Sequence, residues 1–443
     1  MISRTITAAA LLAGAAVPLA AQATTPAPQS APMTITVGEA LARGRASGVS
    51  AALARLGAQG VSLRTSEQSA ARLPQVDLTG TMQRQTLNLR EFGLSIPGFP
   101  AITDPFTLFR GRAAASQVIF DPALAARLRE ARDTAIAAGL DADRAGDLAA
   151  AAAGAAWLRL AGAEETVVAR EQDSVTAFAL LDIARSQVDA GTAPRIDRTR
   201  SETQAAAVRV QVAVARNERA RAELDLARAI NLPPGTPLSV GTEMAIAADT
   251  LPSDINAAIA IARAHRADLA AEKQRQDVLQ RGLAAIRNEF IPTLSTSGYV
   301  QSSGTAVPSL AGTWNVGVYL SWSVFDGFRR ERRVDEQRLR LDAEGVRLQD
   351  LENQVEADVR QAAIDRASAR DQLALAIDRA RLADEELTEA RERFAAGVAG
   401  SVETTNAQAE VATAHDAVIQ ARLAAAAAEI GAAEAMGLLN QVH

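Results

Sequence analysis

The side chains that most often carry catalysis or bind metal ions are few in this sequence, and they are not arranged for either task. The three histidines, His265, His415 and His443, lie far apart without the spacing of metal ligands, and cysteine is absent. The sequence shows no motif that pairs a nucleophile with a general base and no glycine-rich phosphate-binding loop. It also shows no pair of acidic residues placed for general acid–base catalysis. The sequence therefore predicts no enzyme activity, no metal site and no cofactor.

The charged residues best placed for a functional role lie near two glycines, Gly191 and Gly397. Each glycine follows a helical stretch and is predicted to end it in the left-handed conformation. Asp197 follows the Gly191 turn, and Glu403 follows the Gly397 turn. Each acid would lie near the N-terminus of the next helix, where a negative charge is favourable against the helix dipole. The first turn also carries three arginines, Arg195, Arg198 and Arg200. Pairs between exposed charges are individually weak, so inter-helix pairing by these arginines is a hypothesis only.

The two glycine turns belong to a duplication with a period of about 206 residues. Ala184 through Ala193 returns as Ala390 through Ala399, and the stretch 118–121 (VIFD) returns as 323–326 (SVFD). This period is too long for a solenoid repeat. The sequence therefore predicts two copies of one large supersecondary unit.

Each copy is predicted to contain a first helix, two short strands and a long helical hairpin. The first copy spans 37–232, with strands at about 75–88 and 106–120 and the hairpin at 122–230. The second spans 255–443, with strands at about 292–302 and 313–325 and the hairpin at 327–439. Asp121-Pro122 is a strong helix start, and the helical pattern then continues to Gly191, which would give a helix roughly 100 Å long.

The second hairpin shows a coiled-coil pattern. Apolar residues keep a seven-residue spacing from Val334 to Ala369, and the spacing resumes at Leu373 after a four-residue step. In the first hairpin the segment 208–212 alternates like a strand, but its duplicate at 414–420 does not. We therefore expect a helix in both places, and a first helix from Val37 to about Arg72.

The remaining segments predict a secreted protein. Residues 1–23 have the pattern of a signal peptide, with Arg4 before an apolar stretch and Ala21-Gln22-Ala23 as a cleavage site. Residues 24–36 and 233–254 are predicted linkers. The net charge of −6 argues against a nucleic-acid partner. No later segment is long and apolar enough for a transmembrane helix, so any membrane contact would be made by strands.

The segment from Trp314 to Phe325 alternates as a strand between lipid and water would. Its apolar face carries Trp314 and Trp322 near opposite ends, and its other face is mostly polar and includes Tyr319. We predict these three residues as interface aromatics, although an amphipathic strand of a soluble sandwich is the alternative. In the first copy Arg110 and Arg112 would face water, which leaves Phe109, Ala113, Ala115 and Ile119 toward lipid. Four strands cannot close a barrel, so a membrane sheet would require several chains.

The order of these elements, repeated twice, resembles the TolC-type outer-membrane efflux proteins. Three local motifs also resemble this family. Leu73-Pro74 and Ile291-Pro292 precede the first strand of each copy, and 324–327 (VFDG) lies at the junction between strand and helix in the second copy. At the second hairpin turn, 390–397 (ARERFAAG) is followed by Ser401, Glu403 and 406–408 (NAQ). The resemblance covers nearly all of the chain after the predicted signal peptide.

This resemblance implies a mainly α-helical fold with a membrane β-barrel, in which a homotrimer pools twelve strands and its helices form a periplasmic tunnel. It implies an outer-membrane location, a periplasmic adaptor and an inner-membrane transporter as partners, and contact with outer-membrane lipid. Docking tips would be Gly191, Arg393, Gly397 and Ser401. Glu403 and Asn406 match the family's acidic positions at the mouth, and Asn406 departs from the family by lacking a charge. Asp197 is the acid in the first copy that corresponds to Glu403. Our hypothesis is that Arg195, Arg198 and Arg200 hold the closed mouth through inter-helix pairs. A soluble periplasmic coiled-coil scaffold or adaptor is the alternative, and the cargo is not predicted.

Overall fold

The computed structural model describes residues 32–442, except 95, 96, 99, 241–251 and 253. The predicted signal peptide and most of the predicted N-terminal linker lie outside the described residues, and so does the centre of the linker between the copies. No helix in the described part of the chain is long and apolar enough to cross a membrane.

The described chain is mainly helical, with two small sheets. The helices are α1 (Val37–Ser47), α2 (Val49–Ala70), α3 (Pro122–Asp189), α4 (Arg195–Ala229), α5 (Ile255–His265), α6 (Ala267–Asn288), α7 (Arg329–Ala395) and α8 (Ser401–Ala435). The strands are β1 (Met33–Ile35), β2 (Gln75–Gln85), β3 (Phe106–Phe120), β4 (Leu238–Val240), β5 (Thr293–Gly304) and β6 (Ala311–Ser321). Short 3₁₀ turns occur at Leu89–Phe92, Val307–Ser309 and Leu439–Gln441. The helices α3 and α7 have 68 and 67 residues, so each is about 100 Å long.

The two long helices begin differently. Asp121 caps α3 as expected, because its Oδ1 accepts the Leu124 N–H at 2.9 Å. The second hairpin was predicted from residue 327, but α7 begins at Arg329 after two residues with positive φ, Gly327 and Phe328. The carboxylate of Asp326 does not cap that helix and instead accepts from the buried Arg330 Nε at 3.0 Å. This arginine also donates to two backbone carbonyls, so it fixes the junction between β6 and α7.

The first helix of each copy is interrupted. The continuous helix expected from Val37 to about Arg72 is wrong at Gly48, where ψ is 138° and α1 passes into α2. A Cβ at Gly48 would lie 2.4 Å from the Gly44 carbonyl oxygen of α1 and 3.2 Å from the Ala149 Cβ of α3, so the backbone of the preceding turn, and secondarily packing on α3, explains this glycine. The second copy breaks in the same way at Arg266, between α5 and α6.

The long helices fold back as two antiparallel hairpins, α3 with α4 and α7 with α8, and α3 also contacts α8. The seven-residue seam predicted on α7 faces inward: its members are buried or half-buried, including Val334, Val355, Ala380, Leu387 and Phe394. The helix α4 runs without interruption through 208–212, as the comparison with the second copy predicts.

A buried cluster near the middle of the hairpins contains residues of both predicted linkers, namely Ile35, Leu238 and Val240. The strand β1 pairs in parallel with β4, from Met33 opposite Leu238 to Ile35 opposite Val240. The Trp157 indole N–H donates to the Ile35 carbonyl at 2.7 Å. Residues 33–35 and 238–240, predicted as linker, are therefore strands. Each has only three residues, so neither can be recognised as a strand without its partner.

The second sheet is an antiparallel meander in the order β2-β3-β5-β6, so strands of both copies join in one sheet. The strands β2 and β6 form its edges. The first strand ends at Gln85 rather than 88, and the last occupies 311–321 rather than the predicted 313–325, so Trp322 lies just beyond it.

Candidate functional site

One face of the four-stranded sheet is apolar and uncovered. The register places Leu78, Ala113, Val300 and Trp314 in one row across the four strands, with their side chains on the same side. Leu78 is 81% exposed and Trp314 is 76% exposed. Further apolar residues with the same parity are also exposed, namely Val76, Met82, Val316, Val318 and Leu320. This face would remain in water only at a large hydrophobic cost.

The opposite face of the sheet is polar. One of its rows consists of Thr79, Arg112, Gln301 and Thr313, and the next row of this face toward the helices includes Asp77 and Tyr299. The Arg112 guanidinium lies 3.9 Å from the centre of the Tyr299 ring. Arg110 and Arg112 therefore lie on the face opposite Phe109, Ala113 and Ala115.

The predicted interface aromatics do not share one face. Trp314 lies on the apolar face, and Trp322 follows β6 with its indole N–H donating to the Phe290 carbonyl at 3.1 Å. Tyr319 lies on the polar face, where its hydroxyl is 3.4 Å from the Asn315 Oδ1 and its ring covers Gly317. The alternation of the strand decides this placement, since 315, 317 and 319 have the same parity.

The far ends of the hairpins are tight glycine turns of the same geometry. Gly191 has φ +72° and Gly397 has φ +73°, and a Cβ at either would meet nothing within 4 Å. The N–H groups that follow close each turn, from Thr192 to the Gln187 carbonyl and from Val398 to the Arg393 carbonyl. Backbone conformation, and not crowding, is therefore what requires glycine at both tips.

A buried hydrogen bond joins the two tips. The Ser401 hydroxyl donates to the Asp197 Oδ1 at 2.5 Å, and both side chains are buried. Arg200 lies beside this contact, with its NH1 3.8 Å from the same carboxylate oxygen. A second link runs from the Gln187 side-chain amide to the Phe394 carbonyl at 2.7 Å, where the Phe394 ring is buried. The outer surface of the tips is thus formed by other residues than Ser401 and Asp197.

The second tip carries an exposed ion pair. Arg393 Nε lies 3.3 Å from Glu403 Oε1, and both side chains are substantially exposed. Asn406, one helical turn after Glu403, is also exposed. The residues predicted for docking and for the mouth therefore contact one another here.

The three arginines at the first tip have different surroundings. Arg198 pairs with Glu202 in the same helix at 3.1 Å, and Arg185 of α3 reaches the same carboxylate at 3.5 Å. Arg200 pairs with Asp197, and Arg195 is exposed without an ion-pair partner among the described residues. None of these pairs links the first hairpin to the second.

A charged cluster ties the two hairpins together above the tips. Arg170 donates to Asp173 at 2.8 Å and also to Asp416 of α8. Burial raises the pKa of Asp173 even though Arg170 favours its ionised form. Nearby, the His415 Nε2 lies 3.2 Å from the Asp384 Oδ2. Within the described ranges, no group of three or more His, Cys, Asp and Glu side chains could hold a metal ion.

Sequence reasoning missed two features of this region. The contact between Ser401 and Asp197 joins residues that are not equivalent in the duplication, so no repeat comparison could find it. The apolar face of β2 had a detectable period-two pattern in Val76, Leu78 and Met82, but polar residues flank each of them in a short stretch.

Residues 258–438 match the family model described as outer membrane efflux protein. No curated protein sequence matches the chain. Among solved structures, CusC is 17% identical, with a TM-score of 0.76 over 94% of this chain and 97% of that one. The Neisseria gonorrhoeae MtrE outer membrane channel is 19% identical, with a TM-score of 0.73 over 91% of this chain and 89% of that one.

The Campylobacter jejuni CmeC outer membrane channel is 15% identical, with a TM-score of 0.74 over 91% of this chain and 86% of that one. At such identities the likeness is one of fold. Together with the family match, it confirms the predicted mainly helical fold with a sheet and the predicted resemblance to the TolC-type proteins.

Proposed function

We propose that this chain, similar to the outer membrane efflux proteins in sequence over residues 258–438 and in fold over most of its length, is an outer-membrane channel. It would be the exit duct of a tripartite efflux or type I secretion system and would conduct substrates passively. The observation that carries this proposal is an uncovered apolar sheet face joined directly to two helical hairpins about 100 Å long.

The sheet has the dimensions and chemistry of a membrane segment. Its strands have 11 to 15 residues, and about 10 suffice to cross a bilayer. Its apolar face would contact lipid and its polar face would contact water. The outer edges of β2 and β6 are unpaired within the described chain, and unpaired backbone groups are costly in lipid. Closure of the sheet therefore requires further copies of the chain.

The lateral edges of the molecule support closure by identical copies. One edge carries β2 and α2, and the other carries β6 and α7, because α3 and α6 lie between α2 and α7. The edge helix α2 exposes an apolar stripe of Val49, Leu53, Leu56 and Leu63, and α7 exposes Leu339 and Val346. Contact between one edge and the opposite edge of the next copy is heterologous, and such contacts form a ring when the rotation between copies closes. Three copies, as in the homotrimer that the family resemblance implies, would pool twelve strands.

The hairpin tips would form the periplasmic end of the duct. Gly191, Gly397 and Arg393 lie at the surface of the tips and are proposed to dock a periplasmic adaptor, which would connect an inner-membrane transporter. Ser401 would support this surface from below through Asp197. Glu403, Asn406, Arg195 and Arg198 are exposed near the turns and are proposed to line the mouth.

Channel formation can be tested with the purified protein. Reconstituted in planar bilayers, it should produce discrete conductance steps, and it should require detergent for extraction from membranes. A protein that extracts in buffer and gives no conductance would be the alternative, a soluble periplasmic scaffold. Because the chain has no cysteine, single cysteines on β2 and on β6 provide a clean second test. Pairs on the two edges should cross-link between copies, whereas cysteines on β3 and β5 alone should not.

A further inference from the structure

The sheet carries few charges, and two of them form a basic patch on its polar face. Its four strands hold four charged residues, Asp77, Arg84, Arg110 and Arg112. Arg110 lies opposite Thr81 and Ser303, and Arg112 lies opposite Thr79 and Gln301. The arginines are thus surrounded on their own face by neutral polar side chains.

Within the described part of the chain, the two guanidinium groups are not neutralised. In the described ranges no carboxylate lies within ion-pair distance of either one. Asp77 lies on the same face as the two arginines. It pairs with Ala114, one row closer to the helices than Arg112. Arg112 is held against the sheet by the Tyr299 ring at 3.9 Å, so its charge has a defined position.

The patch extends from near the middle of the sheet into the half that is remote from the helices. Phe120 ends β3 next to the start of α3, and Arg110 is ten residues away along that strand, or about 33 Å. Trp314 lies in the same row as Ala113, so both arginines lie beyond this tryptophan on the outer side. In the proposed channel this position is the outer exit.

We infer that Arg110 and Arg112 make the outer exit of the proposed channel selective for anions, and that polyvalent phosphate-bearing or carboxylate-bearing solutes bind there. The inference rests on the proposed function, because only a closed sheet brings the polar faces of several copies around one lumen. Each copy then contributes both guanidinium groups to one ring around the lumen. Such a ring concentrates counter-ions, and Arg is suited to bidentate contacts with phosphate and carboxylate oxygens.

The test uses inorganic tripolyphosphate as a blocker of the full-length protein in planar bilayers. Added to each compartment in turn at about 0.1 M KCl, it should block conductance from one side, and about 1 M KCl should relieve the block by screening. The double variant R110Q/R112Q should need roughly tenfold more tripolyphosphate for the same block, and its reversal potential in a KCl gradient should shift toward cation preference.

Two further variants separate charge at the exit from other effects. R84Q removes an arginine whose parity places it on the apolar side of the same sheet, so block should be unchanged. R112K keeps the charge but loses the bidentate fork, so the anion preference measured by the reversal potential should persist even if the block weakens. Loss of the anion preference in R112K would assign it to packing on Tyr299 and overturn the inference. If the wild type conducts and tripolyphosphate blocks it and R110Q/R112Q equally, this inference is overturned and the proposed channel function stands. Absence of any conductance in the wild type overturns the proposed function, and this inference with it.

Discussion

The Ser401 hydroxyl and the Asp197 carboxylate are joined by a buried hydrogen bond of 2.5 Å between the starts of α8 and α4. In the duplication, Asp197 corresponds to Glu403 and Ser401 corresponds to Arg195. The two tips are therefore not related by the repeat at this point: Asp197 turns inward to the other hairpin, whereas Glu403 pairs outward with Arg393. The duplicated sequence thus builds a tip with one buried and one exposed acidic residue.

Removing this hydrogen bond should loosen the tip. Ser401→Ala leaves Asp197 buried with only the more distant Arg200, and loss of a hydrogen bond to a charged group costs about 1.5–3 kcal/mol. We expect a lower thermal unfolding midpoint and a higher resting conductance in planar bilayers. Thr199→Ala is the matched control, because that hydroxyl is exposed on the same tip and bonds only to its own helix. Equal behaviour of the two variants would show that the link does not hold the tips together.

The two glycines of the second tip should differ sharply in tolerance to alanine. A Cβ at Gly397 or at Gly400 would meet nothing within 4 Å, but Gly397 has φ +73° and Gly400 has φ −89°. Gly397→Ala should cost about 1–2 kcal/mol in unfolding free energy, since an L-residue is disfavoured at positive φ. Gly400→Ala should change it by less than about 0.5 kcal/mol. Denaturant unfolding in detergent measures both, and similar losses would mean that the positive φ of Gly397 is not what requires glycine there.

Sequence patterns predicted the elements whose signals are local, and they failed where a partner decides the outcome. The helix start at Asp121-Pro122 and the inward seam of α7 follow from capping and heptad spacing, which act within one helix. The start of α7, by contrast, is held by Arg330, which donates to the Glu289 carbonyl from another element, and the pairing of β1 with β4 depends on residues about 205 positions apart. The burial of Ser401 has the same origin, because its partner belongs to the other copy.

A charge on the apolar face of the sheet should impair assembly, whereas a charge on the polar face should be tolerated. Val318 lies on the apolar face opposite Thr296, and Ser297, one pair away, lies on the polar face opposite Gly317. Val318→Arg places a guanidinium near mid-span in lipid, at a cost of about 2–4 kcal/mol. Ser297→Arg places it in the lumen at nearly the same depth. Yield of folded protein in outer-membrane fractions should fall only for Val318→Arg, and equal yields would contradict the proposed orientation.

The buried cluster at the break between α5 and α6 should make stability depend on pH. Arg266 is buried and donates to both carboxylate oxygens of Asp268, at 3.1 and 2.6 Å, and to Asp358 of α7 at 2.7 Å. Burial opposes the ionisation of Asp268, but these hydrogen bonds and the charges of Arg266 and Arg144 outweigh it. The pKa of Asp268 is therefore held below its usual value.

The sign of the effect follows from that direction. The folded state binds the Asp268 proton less tightly than the unfolded state does. The contribution of Asp268 to the free energy of unfolding is therefore fully present above the unfolded pKa of about 3.9. It is lost as the pH falls through the lower pKa of the folded state. Asp268→Asn leaves Arg266 with Asp358 alone and should cost about 2–4 kcal/mol at pH 7. That difference from wild type should shrink below about pH 4.

Asp335→Asn is the matched control for Asp268→Asn, because Asp335 also lies near two arginines, Arg332 at 3.7 Å and Arg338 at 3.3 Å, but is exposed. Exposed pairs contribute at most about 1 kcal/mol, so this variant should resemble wild type. Thermal unfolding followed by circular dichroism in detergent at pH 7, 5 and 3 measures all three proteins. If Asp268→Asn and Asp335→Asn lose the same stability at pH 7, burial adds nothing to the Arg266 cluster. If the loss in Asp268→Asn persists undiminished at pH 3, the ionised carboxylate is not what stabilises the break.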